Sequence, residues 1–236
     1  MKRDLRGTLK RGIVEFVAIF LGVTLSFLAD DWREGLEQRD RALGVLEGIE
    51  RDLTQDLAVM REGLAYDSIA IPAGIWLANS WERADLPADS IDWANGQMAL
   101  WLPYLPVRAE YESAKAAGRI QFIEDDELRA QIVAFYEEGQ ARLGSLNDLA
   151  RDMTVELQRS LRPYVRAEYH RDRPPERYLA AAWSEVRRDR SVRNLFGQAA
   201  TIRSIRARQT RSYLEAGAQL RTALRRALED SPHHGS

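Results

Sequence analysis

The side chains that most often carry chemistry are scarce in this chain. It has no cysteine and three histidines, His170, His233 and His234, two of them adjacent near the C-terminal end. Structural zinc sites are built from Cys and His sets, and a Ser-His-Asp triad needs a histidine set between two partners. One internal histidine supports neither. A carboxylate-bridged di-iron bundle requires paired Glu-x-x-His segments, and none occurs. Neither a P-loop, nor a dinucleotide fingerprint, nor a G-x-S-x-G elbow is present. The expectation is a protein that is not an enzyme and takes no cofactor or metal.

Two other groups of residues have types and spacings suited to binding. Trp76, Trp81, Trp93 and Trp101 crowd into a stretch rich in proline. They are either a small aromatic subcore or the lining of a ligand pocket. Glu15, Gly22, Ser26, Asp30, Asp31 and Trp32 lie in or just beyond the most apolar run of the chain, Ile13 to Ala29. A carboxylate one turn inside such a run is costly in hydrocarbon unless it is paired, and Arg11 is four residues away on the same helical face. Gly22 and Ser26 form a small-xxx-small pair that permits close helix approach. These residues are the candidate contacts with a partner in the membrane.

The elements that position them follow from hydropathy and charge. Seventeen residues at about 1.5 Å each give a helix of roughly 25 Å, against a hydrocarbon core of about 30 Å. Lys10 and Arg11 suit snorkelling at one end, and Trp32 suits the opposite interface. A cleaved signal would want small residues before its cut, and Phe27-Leu28-Ala29 lacks that pattern. The expectation is an uncleaved transmembrane helix over 13–29. Residues 1–12 carry Lys2, Arg3, Arg6, Lys10 and Arg11 against Asp4, whereas Asp30, Asp31, Glu34 and Glu37 follow the run. The positive-inside rule then places 1–12 as a basic tail in the bacterial cytoplasm. Residues 30–230 become a periplasmic domain anchored in the inner membrane, and 231–236 a flexible tail.

Two stretches resemble a known family. The run Glu15-Phe16-x-x-Ile19-x-x-Gly22-Val23, followed by Asp30-x-Trp32, is similar to the opening of a family of uncharacterised bacterial single-pass membrane proteins with helical extracytoplasmic domains. The second stretch is Tyr111-Glu112-Ser113-x-x-x-x-Gly118 through Ile123, then Asp126-Glu127-Leu128-Arg129 and Phe135-Tyr136-Glu137. Asp31 stands where many members have Asn, and Ala116-Ala117 replaces the polar pair usual before the glycine. The resemblance implies topology and an all-α fold, and no activity.

Periodicity gives the same class. Leu43, Leu46, Ile49, Leu53, Leu57, Met60 and Leu64 recur at helical spacing over Leu36 to Tyr66, with no proline between them and the apolar run. Pro72, Pro87, Pro103 and Pro106 cut the next segment into short helices near 72–81, 87–101 and 107–117, the last ended by Gly118. Asp125 caps a second long helix over about 126–163, with Leu128, Ile132, Phe135, Leu143, Leu146, Leu149, Met153, Leu157 and Leu161 inward. A charged loop follows from Arg166 to Arg173, and Pro174-Pro175 open a shorter helix to about Asp189. Ser191 caps a third long helix to about Leu228, with Leu195, Ile202, Ile205, Tyr213, Ala216, Leu220 and Leu224 inward. Three long amphipathic helices bury their stripes against each other in a bundle, the short helices capping it. The second and third long helices are expected antiparallel. No strand pattern is evident.

The third helix is rich in arginine, and the first carries eleven acids against five arginines between Asp30 and Asp67. Complementary helix faces explain this better than nucleic-acid binding, since the net charge is -2. A cytoplasmic tail of a dozen residues leaves no room for an output domain. The leading expectation is therefore an accessory or scaffold subunit that contacts integral membrane protein subunits and the lipid bilayer. Its host would be a respiratory, transport, or photosynthetic reaction-centre or antenna complex. The alternative is a periplasmic ligand-binding or sensor module acting through a membrane partner. Self-association of copies through Gly22 and Ser26 is a third expectation.

Overall fold

The computed structural model describes the backbone of residues 5–168 and 176–230, with side chains from 20 to 166 and from 178 to 230. Within these limits its regular secondary structure is helical apart from one short hairpin. Helix α1, Leu5–Asn79, is a single rod of 75 residues, about 110 Å long at 1.5 Å per residue. Helices α2 (Ala88–Ala99) and α3 (Ala109–Ala116) are short. Helix α4 (Asp126–Val133) continues through a π-helical turn, Ala134–Gly139, into α5 (Gln140–Leu161). After the hairpin β1 (Arg166–Glu168) and β2 (Glu176–Tyr178) come the single turn α6 (Trp183–Val186) and the last long helix, α7 (Arg190–Glu229).

Contacts along α7 set the helix directions. Going up α7, Gly197 lies against Ala78, Arg206 pairs with Asp67, Tyr213 bonds Asp56 and Arg225 pairs with Glu50. The same helix meets Thr154 through Arg203 and Asn147 through Arg206. Helix α7 therefore runs antiparallel to both α1 and α5, as expected for the last two long helices. Its C-terminal end returns beside the part of α1 nearest the apolar run.

Two apolar clusters form the core. One gathers Ile49, Leu53, Leu57, Tyr111, Ile132, Tyr136, Leu143, Tyr213 and Leu224; the other holds Ala73, Leu77, Trp81, Met98, Leu157, Trp183, Val192 and Phe196. The π-turn serves the first cluster. Two consecutive residues within it, Phe135 and Tyr136, both face inward. Tyr136 then stacks on Tyr111 at 4.4 Å and Phe135 on Tyr213 at 4.3 Å. Gly217 lets α7 approach closely here, because a Cβ built on it would stand 2.5 Å from a Leu57 methyl.

Several expectations are corrected. Pro72 does not end α1: the helix passes through it to Asn79, because Ala70, Ala73 and Leu77 are buried on the far side of that turn and hold it against its neighbours. The segment expected to open a helix at Pro174 instead pairs as a hairpin, with Arg166 opposite Tyr178. Residues 169–175, with His170, lie outside the described residues, as do His233 and His234 in 231–236. Asp189, not Ser191, caps α7; its carboxylate accepts the Ser191 N–H at 2.9 Å. The buried stripes are also displaced. On α5 the inward residues are Leu143, Asn147, Ala150, Thr154 and Leu157, and Leu149 is exposed. On α7, Arg203 and Arg206 are buried while Ile205 is exposed. Other expectations agree: Asp125 accepts the N–H groups of Glu127 and Leu128, and Gly118 has φ 65°.

Candidate functional site

The polar residues buried inside the bundle form a fastening for the segment Leu100–Arg108, between α2 and α3. Helix α2 ends at Ala99, so its last carbonyls lack partners within the helix. Side chains from all three long helices supply them. The Tyr66 hydroxyl of α1 donates to Gln97 O at 2.5 Å. The Arg203 guanidinium of α7 donates to Met98 O at 3.2 Å and Leu100 O at 2.5 Å, and Gln158 of α5 donates to Ala99 O. A cation at a helix C-terminus is also favoured by the helix dipole. Arg203 is only 1% exposed, and burial pushes its guanidinium down from its ordinary value.

At the other end, aspartates of α1 take the backbone N–H groups that precede and open α3. Asp52 accepts from Glu110 N at 2.7 Å, and Asp56 from Val107 N at 2.9 Å. Asp56 is fully buried. It also accepts from the Tyr213 hydroxyl at 2.8 Å and the Tyr104 hydroxyl at 3.1 Å. Burial pushes its carboxyl up, and the hydrogen bonds from Val107, Tyr213 and Tyr104 oppose that shift. Both phenols are pushed up, chiefly by burial and then by the Asp56 charge. They remain protonated and act as donors. About three turns further along α1, Asp67 forms a bidentate pair with Arg206 at 2.6 and 3.0 Å, and Asn147 joins Arg206 to Tyr104 N.

The anchored segment shows a burial period of three, as a polyproline II strand does. Trp101, Tyr104 and Val107 are half-buried, whereas Leu102, Pro103, Leu105 and Pro106 are exposed. Leu105 is 70% exposed on a backbone held at both ends. Chemically this network orients backbone. Among the described residues, no group of three His, Asp or Glu side chains is placed to hold a metal ion.

The four tryptophans part company. Trp81 is fully buried, edge-on to Trp183 at 5.0 Å, and its Nε1 donates to Arg187 O. Trp183 returns the arrangement by donating to Arg83 O at 3.0 Å. Trp76 packs partly buried against the same cluster. Trp93 is 53% exposed, and Trp101 is half-buried at the start of the anchored segment.

The second predicted group lies along α1. Gly22, Ser26, Asp30, Asp31 and Trp32 are exposed, and a Cβ added at Gly22 would meet nothing within 4 Å. Leu21, Val23, Leu25, Phe27 and Leu28 are exposed beside them. Glu15 falls outside the residues whose side chains are described. Among the described residues no helix is long and apolar enough to cross a membrane; of the expected span 13–29, that leaves out the side chains of 13–19.

Asp52, Asp56, Asp67, Tyr104, Arg203 and Arg206 escape a reading based on apolar periodicity. One signal marks them: Asp52 and Asp56 occupy the same three-and-four spacing as Ile49, Leu53, Leu57 and Met60. Comparison with known proteins finds no matching family model, no similar curated protein and no matching solved structure.

Proposed function

We propose that this chain is a membrane-anchored, non-catalytic accessory subunit that binds integral membrane protein subunits of a larger bacterial inner-membrane assembly. Residues 13–29 of α1 cross the bilayer, the basic 1–12 stay in the cytoplasm and the bundle stands in the periplasm. The observation that carries this reading is the exposed apolar surface of α1 before the bundle begins. Leu25 and Phe27 are 64% and 66% exposed, and at 3.6 residues per turn they point about 200° apart. A helix apolar on all sides is stable where lipid or protein covers it.

Charge supports the same reading. The residues after the apolar run are acidic and those before it basic, so the orientation follows the positive-inside rule. From Asp30 to Arg41 the helix is mostly polar and, Leu36 and Gln38 apart, exposed, laced by Arg41–Glu37 and Gln38–Glu34 contacts one turn apart. Such a stretch is a solvated stalk. Subunit contacts are then made along the span, by Glu15, Gly22 and Ser26, and at the Asp30-Asp31-Trp32 collar.

The test is purification of the native protein from its own membranes in several mild detergents. Co-migration with integral membrane subunits is the expected result. A chain that stays in the membrane fraction yet always purifies alone would defeat the accessory role; one that leaves the membrane in alkaline carbonate would defeat the anchor.

A further inference from the structure

At the end of the bundle nearest the apolar run, α1, the turn before α4 and the end of α7 enclose a groove of about 500 Å³. Leu36, Leu43, Leu46, Phe122 and Leu128 supply its apolar lining. Leu36 lies seven residues past Ala29, about 10 Å along the helix. We propose that this groove receives one acyl chain of an amine-headgroup phospholipid drawn from the adjacent leaflet. The inference rests on the membrane reading above, since it is the bilayer that brings the lipid within reach.

Three observations select this occupant. The volume lies within the ordinary range for small-molecule sites, and its apolar lining is aliphatic and aromatic. An acyl chain moving from bilayer to groove exchanges one apolar setting for another, so the gain comes from covering the groove's own leucines. The rim is acidic: Asp40, Glu124, Asp125 and Asp230 border the groove, and its one arginine, Arg39, is already paired with Glu124 at 3.3 Å. The ammonium of a zwitterionic, net-neutral headgroup is attracted there, and a headgroup of net negative charge is repelled. The same charges work against a second copy lying parallel, because its stalk would bring Asp30, Asp31, Glu34 and Glu37 to an acidic rim.

The experiment uses the full chain in nanodiscs containing phosphatidylethanolamine with a diazirine on its acyl chain. After irradiation, adducts are mapped by peptide mass spectrometry. Adducts are expected on 36–46 and 122–128 as well as on 13–29. Phosphatidylglycerol carrying the same diazirine should label the groove less and the span equally. Asp40→Arg with Asp230→Arg, both at exposed positions, should reverse that headgroup preference. Adducts confined to 13–32 would overturn the groove and leave it to a basic protein segment. An unchanged preference in the double variant would overturn the role of the rim. Absence of adducts on 13–29 would remove the membrane reading itself, and the groove proposal with it.

Discussion

Asp56 and Asp67 are buried eleven residues apart on one helix and are stabilised by different means. Asp67 is neutralised by a bidentate guanidinium. Asp56 accepts from two phenols and an amide, none of them charged. The two should therefore respond differently to substitution. Asp67→Ala strands Arg206 in the core and should cost about 3–5 kcal/mol, whereas Asp67→Leu with Arg206→Met should recover most of that loss. Urea unfolding of both variants checks this, and equal losses would show that the pair is not the unit. For Asp56 the readout is pH. Its folded carboxyl titrates above the ordinary 3.8, so the folded state binds the proton more tightly than the unfolded chain. The stability tied to Asp56 is then complete below the unfolded value and is lost as pH rises through the folded one. Asp56→Asn does not titrate. The stability of the natural protein relative to this variant should be greatest at about pH 3 and should shrink toward neutral pH. A difference that grows with pH would mean the carboxylate is the favoured form.

At the scale of elements, helix identity was more legible than helix phase. The spacing of Leu46, Ile49, Leu53 and Leu57 marks α1 because those side chains are apolar and also inward. On α5 and α7 the two properties separate. Arg203 and Arg206 turn inward to meet the carbonyls of α2 and the carboxylate of Asp67, and they bring Thr154 and Asn147 to the interface with them. Ile205 and Leu149 are rotated out as a consequence. A hydrophobic pattern is blind to this choice, because the polar demand arises from a helix end more than 100 residues away in sequence. Pro72 shows a similar limit. Its missing N–H weakens α1 locally, yet tertiary packing on either side keeps the helix intact. Pro72 is exposed, so Pro72→Ala should restore one helical hydrogen bond and raise stability by about 1–3 kcal/mol. A thermal melt that fails to rise would mean the turn is shaped for proline. Gly217→Val should act in the opposite sense, since its methyls would overlap Leu57 and Phe135; a loss of about 1–3 kcal/mol is expected in urea.

For the molecule as a whole, α1 is the frame and, on the proposed membrane reading, the address as well. Its last 38 residues, Ala42 to Asn79, face the bundle; the stretch before them, from Asp30, is a mostly exposed stalk about 18 Å long, whose Leu36, Arg39 and Asp40 border the groove. The anchored Leu100–Arg108 segment is held at the level of Asp52 to Asp67; on the proposed membrane reading it would stand well away from the bilayer, with the groove next to the bilayer. On that reading the two surfaces would meet different neighbours, one in the membrane and one above it. Because the chain has no cysteine, single cysteines report this arrangement without background. Leu25 is 64% exposed, and Glu34 is exposed on the same helix. In water, Leu25→Cys and Glu34→Cys would react alike with a maleimide that cannot enter membranes. In native membranes Leu25→Cys should be silent until detergent is added, and Glu34→Cys should react throughout. In intact spheroplasts the reagent touches only the periplasmic side, so labelling of Glu34→Cys there establishes which way the chain crosses. If Leu25→Cys reacts as fast as Glu34→Cys before detergent, the apolar face of α1 is open to water, and the stalk has no membrane to stand on.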